Sequence, residues 1–109
     1  MIRPVATLLA LLCTAPVTTE MIEVPGLGAI DLAPFACTDT PRSTIVRRVC
    51  YDEAHGLLLV NAGGTYSQYC ALPAGTFDAF VSAASMGQFY RQRILATPAQ
   101  YECTREGKN

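Results

Sequence analysis

The sequence has no tryptophan and one histidine, and only 16% of its 109 residues are charged. Eight Lys and Arg stand against nine Asp and Glu, giving a formal net charge of -1. That balance excludes the polybasic surface through which proteins usually hold nucleic acid or anionic membranes. No two cysteines form a C-x-x-C pair, so neither a zinc ribbon nor a dithiol redox centre is indicated. The longest uncharged apolar run, Val5–Cys13, is far shorter than the roughly 20 residues of a membrane-spanning helix. Disorder is excluded too, because half the residues are hydrophobic. These absences leave a small globular domain with five cysteines.

The N-terminus explains part of the hydrophobicity. Arg3 precedes the apolar run, and small and polar residues follow as far as Thr19, which is the order of a secretory signal. Residues 1–19 are expected to be a signal peptide cut before Glu20, and the mature protein to be secreted or periplasmic. Leu12 before Cys13 departs from the small residue that a lipidation box places there. Without Cys13 the chain keeps Cys37, Cys50, Cys70 and Cys103. An even set in an exported chain of this size predicts two disulfides. A core so small gains from staples of roughly 2–4 kcal/mol each.

Residues 20–42 are rich in Pro, Gly and acid and read as an irregular N-terminal arm, with a short strand near Gly28–Leu32. Ser43–Asp52 is rich in β-branched residues and predicts a strand, followed by the turn cluster Asp52–Gly56. Leu57–Asn61 predicts a second strand, Gly63-Gly64 a tight reversal, and Thr65–Leu72 a third strand stopped by Pro73. The period then changes. Phe77, Phe80, Val81 and Ala84 share one helical face. Ser85 stands three residues before Gln88 and opens a second helix carrying Met86, Phe89, Tyr90 and Ile94, with Pro98 ending it. The expected fold is α+β, a three-stranded antiparallel meander followed by two helices packed on one face. Residues 104–109 form a charged tail.

Read in order, Ser43-Thr44, Tyr51-Asp52, Leu57–Val60, Gly64, Tyr69, Leu72-Pro73 and Ala83-x-Ser85-x-Gly87-x-Phe89-Tyr90…Ile94 resemble the KTSC domain. This small module is named for its occurrence at the C-terminus of some lysyl-tRNA synthetases. The resemblance covers residues 43–103 and implies a β-β-β-α-α module of unestablished biochemical role. The name alone suggests a nucleic-acid association. Ser67 stands where the family often has Tyr, and Arg91 where Asn is common. The cysteines and the leader are additions, and they point away from a tRNA-related role toward an exported branch.

In a meander, Cys50 and Cys70 lie on strands that flank the middle one, about 9–10 Å apart. A disulfide needs Cα atoms within about 7 Å. Val49 and Tyr51 are expected to face the helices, which turns Cys50 toward the face that only the arm can cover. Cys37–Cys50 with Cys70–Cys103 is the preferred pairing, ahead of Cys37–Cys70 with Cys50–Cys103.

The chemical candidates are few. Asp52, Glu53 and His55 could in principle bind a metal, but neighbouring carboxylates in a hairpin turn point apart, and a solvated turn is expected. A capping role already accounts for Ser85. Arg47 and Arg48 alternate along a strand and so point to opposite faces. Arg47 with Arg91 and Arg93 could form an anionic-ligand site. Tyr51 and Tyr69 are expected beneath the helices, and Tyr66, of opposite parity to Tyr69, at the surface. No catalytic set, metal or cofactor is expected. The leading expectation is a monomeric, non-enzymatic module that binds a protein or other surface partner, and not nucleic acid. A small-ligand or anion binder is the alternative.

Overall fold

The unbroken apolar runs Val49–Tyr51 and Leu57–Val60, within the strands Val46–Asp52 and Leu57–Ala62, build the centre of the molecule. Successive side chains point to opposite sides and so give each strand two apolar faces. The computed structural model describes residues 20–96 and 100–103. The expected signal peptide, Pro98 and the charged tail lie outside the described residues. In chain order the elements are β1 (Met21–Val24), β2 (Gly28–Asp31), β3 (Ala36–Asp39), β4 (Val46–Asp52), β5 (Leu57–Ala62), β6 (Thr65–Tyr69), α1 (Ala74–Ser82) and α2 (Met86–Phe89). A π-helical stretch, Tyr90–Leu95, continues α2 without a break.

The expected three-stranded meander is β4-β5-β6, but it belongs to a four-stranded antiparallel sheet of order β3-β4-β5-β6. Residues 20–42 are not an irregular arm. They form the β1–β2 hairpin and then β3, the edge strand beside β4. Pro34 and Pro41 flank the four residues of β3 instead of interrupting them, so every amide N–H in the strand is retained. The hairpin turns through Pro25-Gly26-Leu27, and Gly26 and Gly28 take positive φ angles of 86° and 92°.

The third strand stops earlier than Leu72, at Tyr69. Ala71 adopts a left-handed φ of 58°, which breaks the ladder and lets the Leu72 N–H donate to Gly56 O at 3.0 Å. β4 carries a bulge. Val46 pairs with Ala62 and Arg48 with Asn61, leaving Arg47 as an extra residue. The bulge resets the alternation, so Val46 and Val49 both reach the helix-covered face although three positions apart.

That face buries Val46, Val49, Tyr51, Leu58, Val60 and Leu72 against Phe80, Met86, Tyr90 and Ile94. Phe80 is fully buried, and Tyr51 stacks on Phe77 with ring centroids 4.4 Å apart. At about 1.5–3 kcal/mol for each large apolar side chain, this layer supplies most of the driving force for folding. The opposite face buries Cys50 and Leu59 under Ile22, Val24 and Leu32, so the N-terminal hairpin acts as the cover. α1 ends at Ser82, and Ala84, placed by periodicity on its apolar face, is exposed in the extended link to α2.

The bridges are Cys37–Cys50 and Cys70–Cys103, the pairing preferred from strand geometry. The first locks β3 to β4. The second holds the segment after the helices against the end of β6, where the Cys70 N–H donates to Tyr101 O at 2.7 Å. Among the described residues, no helix is long and apolar enough to cross a membrane.

Candidate functional site

A cleft of about 370 Å³ opens between the Arg42–Ile45 loop leading into β4 and the Ala84–Gln88 junction of the two helices, with Arg91 at its margin. Local hydrogen bonds shape both walls. On the loop side, Ser43 N–H donates to Thr40 O at 3.1 Å, and Thr40 Oγ1 donates to Val46 O at 2.6 Å. Ser43 Oγ accepts from the N–H groups of Ile45 (3.3 Å) and Val46 (3.0 Å). Such serine turns arise where the hydroxyl can replace a backbone acceptor. Arg42 Nη2 donates to Val81 O and Ala83 O, both at 3.1 Å, and ties the loop to carbonyls left free at the end of α1.

On the helix side, Ser85 caps α2 and its Oγ accepts from Gln88 N–H at 3.2 Å. Gly87 is buried against Ile45, and a Cβ at that position would lie 3.0 Å from Ile45 Cδ1. The glycine therefore lets the helix approach the loop closely enough to form the cleft. Two arginines line it, and among the described residues no carboxylate does.

The structure redistributes the three arginines expected to act together. Arg91 lines the cleft, whereas Arg47 and Arg93 do not. Arg47 is exposed at the β4 bulge. Arg93 sits over the Phe89 ring, its guanidinium carbon 5.1 Å from the centroid, beside a shallower depression of about 240 Å³. The partner that the structure gives Arg91 in the cleft is Arg42, which sequence reasoning passed over. Its available signal was position, directly before Ser43-Thr44.

Tyr66 is half-buried instead of fully at the surface. It packs on the Cys50–Leu59 side, and its hydroxyl accepts from Arg48 Nη1 at 3.3 Å. Arg48 alternates in step with Cys50 and so lies on this covered face, where its guanidinium also makes a two-pronged contact with Glu20 (2.7 and 3.1 Å). That contact holds the Glu20 carboxyl below its ordinary pKa. Tyr66 lines a second, more open cleft of about 920 Å³ together with Val24–Leu27, Gln68 and the Cys70–Cys103 bridge.

The Asp52–His55 turn is only partly solvated. His55 is exposed, but Asp52 is buried and its Oδ2 lies 2.8 Å from His55 Nδ1. Among the described residues, no three His, Cys, Asp or Glu side chains cluster as a metal site. Tyr51 and Tyr69 do pack beneath the helices. Tyr51 Oη donates to Leu72 O at 2.6 Å, and Tyr69 and Tyr90 join hydroxyls at 2.6 Å. Burial first, then the Tyr69 hydrogen bond, pushes the Tyr90 hydroxyl well above its ordinary pKa.

A four-stranded antiparallel sheet with a helical pair on one face and a hairpin on the other defines a two-faced α+β domain stapled by two disulfides. The KTSC domain family model matches residues 42–97, and the chain belongs to that family. The match begins at Arg42 and includes every residue lining the first cleft, whereas β1–β3 precede it. Comparison with curated proteins returns no match.

Proposed function

We propose that this is an exported, non-enzymatic KTSC module that binds a partner through the cleft between the Arg42–Ile45 loop and the α1–α2 junction. One observation carries the reading. Two motif segments within the family match, Ser43-Thr44 and the Ser85-x-Gly87 part of Ala83-x-Ser85-x-Gly87, meet across this one cleft although about 40 positions separate them in sequence. Both motif serines accept hydrogen bonds from backbone N–H groups, which gives them shaping roles. The chain's single histidine sits in the β4–β5 turn, where it pairs with Asp52, and it is not among the residues that line the cleft. Two disulfides favour an oxidising compartment, secreted or periplasmic, as the working environment.

Site-specific photo-crosslinking in the exporting cell tests this. A benzophenone side chain replacing Thr44, which is exposed in the cleft, is expected to yield adducts. The same group replacing Glu53, exposed in the β4–β5 turn, is expected to yield none. Equal labelling from both positions overturns the reading. Intact mass with and without reduction tests export independently: a mature chain lacking residues 1–19 and carrying two bridges is expected.

A further inference from the structure

We infer that the cleft recognises an oxyanion, a carboxylate or phosphate carried by a small organic molecule or by the partner itself. The inference rests on the binding role proposed for the cleft and adds the chemistry it selects. The polar lining is dominated by donors. Ser43 Oγ receives two backbone N–H bonds, which uses its acceptor capacity, and Ser85 Oγ receives one; each hydroxyl retains its O–H to donate. Arg42 commits one terminal nitrogen to Val81 O and Ala83 O, which holds the guanidinium in place and leaves its other N–H groups without a partner among the described residues. Arg91 adds a second guanidinium at the margin. Guanidinium groups have donors only, in a fork that matches the two oxygens of a carboxylate or phosphate. With two positive charges, the hydroxyls of Ser43, Thr44 and Ser85, the Gln88 carboxamide and no carboxylate among the described lining residues, an acceptor-rich anion complements the cleft better than a neutral ligand does. A volume of about 370 Å³ exceeds that of a lone inorganic ion and suits a small organic anion.

Amide chemical-shift titration of the mature, oxidised protein tests the inference. The probes are inorganic phosphate, succinate, glucose 6-phosphate and, as the uncharged control, glucose. Succinate or the phosphates are expected to shift the amides of residues 43–45 and 84–88, and glucose to leave them unmoved. The comparison of succinate with the phosphates decides which oxyanion is preferred. Arg91→Ala is expected to weaken binding about tenfold, the effect of removing a charge-assisted contact from a partly solvated site. Arg91→Lys is expected to recover part of that loss, and raised salt to weaken the wild type. Arg91 is exposed and has no hydrogen-bond partner among the described residues, so an unchanged melting temperature verifies that Arg91→Ala is folded. Glucose binding as well as the anions, or anion shifts indifferent to Arg91, overturns the oxyanion inference while leaving a binding cleft. Silence of the cleft amides toward every anion also overturns it, and crosslinking from position 44 then decides the binding role separately.

Discussion

Cys37 and Cys50 stand directly opposite one another on β3 and β4, with Cα atoms 3.9 Å apart. The bridge fastens β3, which lies outside the family match, to β4, the outer strand of the matched β4-β5-β6 meander. It closes a loop of 13 residues, and the Cys70–Cys103 bridge one of 33. Loop-closure entropy then assigns the two bridges about 3 and about 4 kcal/mol. Replacing each pair by alanine is expected to lower unfolding free energy by those amounts in urea titration. The first bridge joins a partly exposed Cys37 to a fully buried Cys50, whereas Cys70 and Cys103 are both partly exposed. Brief reduction followed by alkylation is therefore expected to label Cys70 and Cys103 first, as read by peptide mass mapping.

The Tyr69–Tyr90 pair makes stability sensitive to alkali. Tyr90 titrates above its ordinary value of 10 in the folded protein, chiefly through burial. Tyr51 is shifted in the same direction, again mainly by burial. Between the unfolded and folded values the native state keeps a proton that the unfolded chain has lost, so stability must fall as pH rises above 10. Tyr90→Phe is expected to cost about 1 kcal/mol at neutral pH, through loss of one hydrogen bond, and to flatten the alkaline decline. Denaturation at a series of pH values measures both effects.

Glu20 and Arg48 give the opposite dependence. Arg48 lowers the Glu20 carboxyl below its ordinary 4.5, first through their hydrogen bonds. Whatever this contact contributes is present above pH 4.5 and is lost as pH falls through the folded value. Carboxyl-detected NMR is expected to show Glu20 titrating below 4.5, and Arg48→Ala to return it to the ordinary value. Because Glu20 is solvated, the change in global stability is expected to be slight.

Gly87 and Ile45 are predicted to be coupled energetically. Alanine at 87 gains helix propensity but brings its Cβ to 3.0 Å from Ile45 Cδ1. Adding Ile45→Val removes the obstructing methyl. A double-mutant cycle is expected to return a favourable coupling of about 0.5–1 kcal/mol. Additive effects would mean that the glycine is not needed for close approach.

The meander strands, the amphipathic helices and the Ser85 cap were legible because each depends on residues adjacent in sequence or one turn apart. Val49 and Tyr51 against Cys50 show how far parity reaches, since their alternation sorts the two faces correctly. Parity failed at Arg47, where the bulge inserts one residue and carries no distinct signature in the sequence. It failed for β3 as well. Four residues between prolines hold too little local preference to declare a strand, and β3 forms because β4 offers an unpaired edge. The cleft was half legible. Ser43-Thr44 and Ala83-x-Ser85-x-Gly87 were visible as motifs, but nothing local reports that they face each other.

The sequence by itself determined the α+β class, the family, the four-cysteine set and the residues able to carry charge. Hydrophobic period, residue type and spacing encode these directly. The tertiary structure decided that the N-terminal segment covers one face of the sheet and supplies its fourth strand. It also decided that Arg91 shares a cleft with Arg42, and not with Arg47 or Arg93. Those outcomes depend on which distant surfaces bury one another, and that burial is a property of the packed chain and of no local stretch within it.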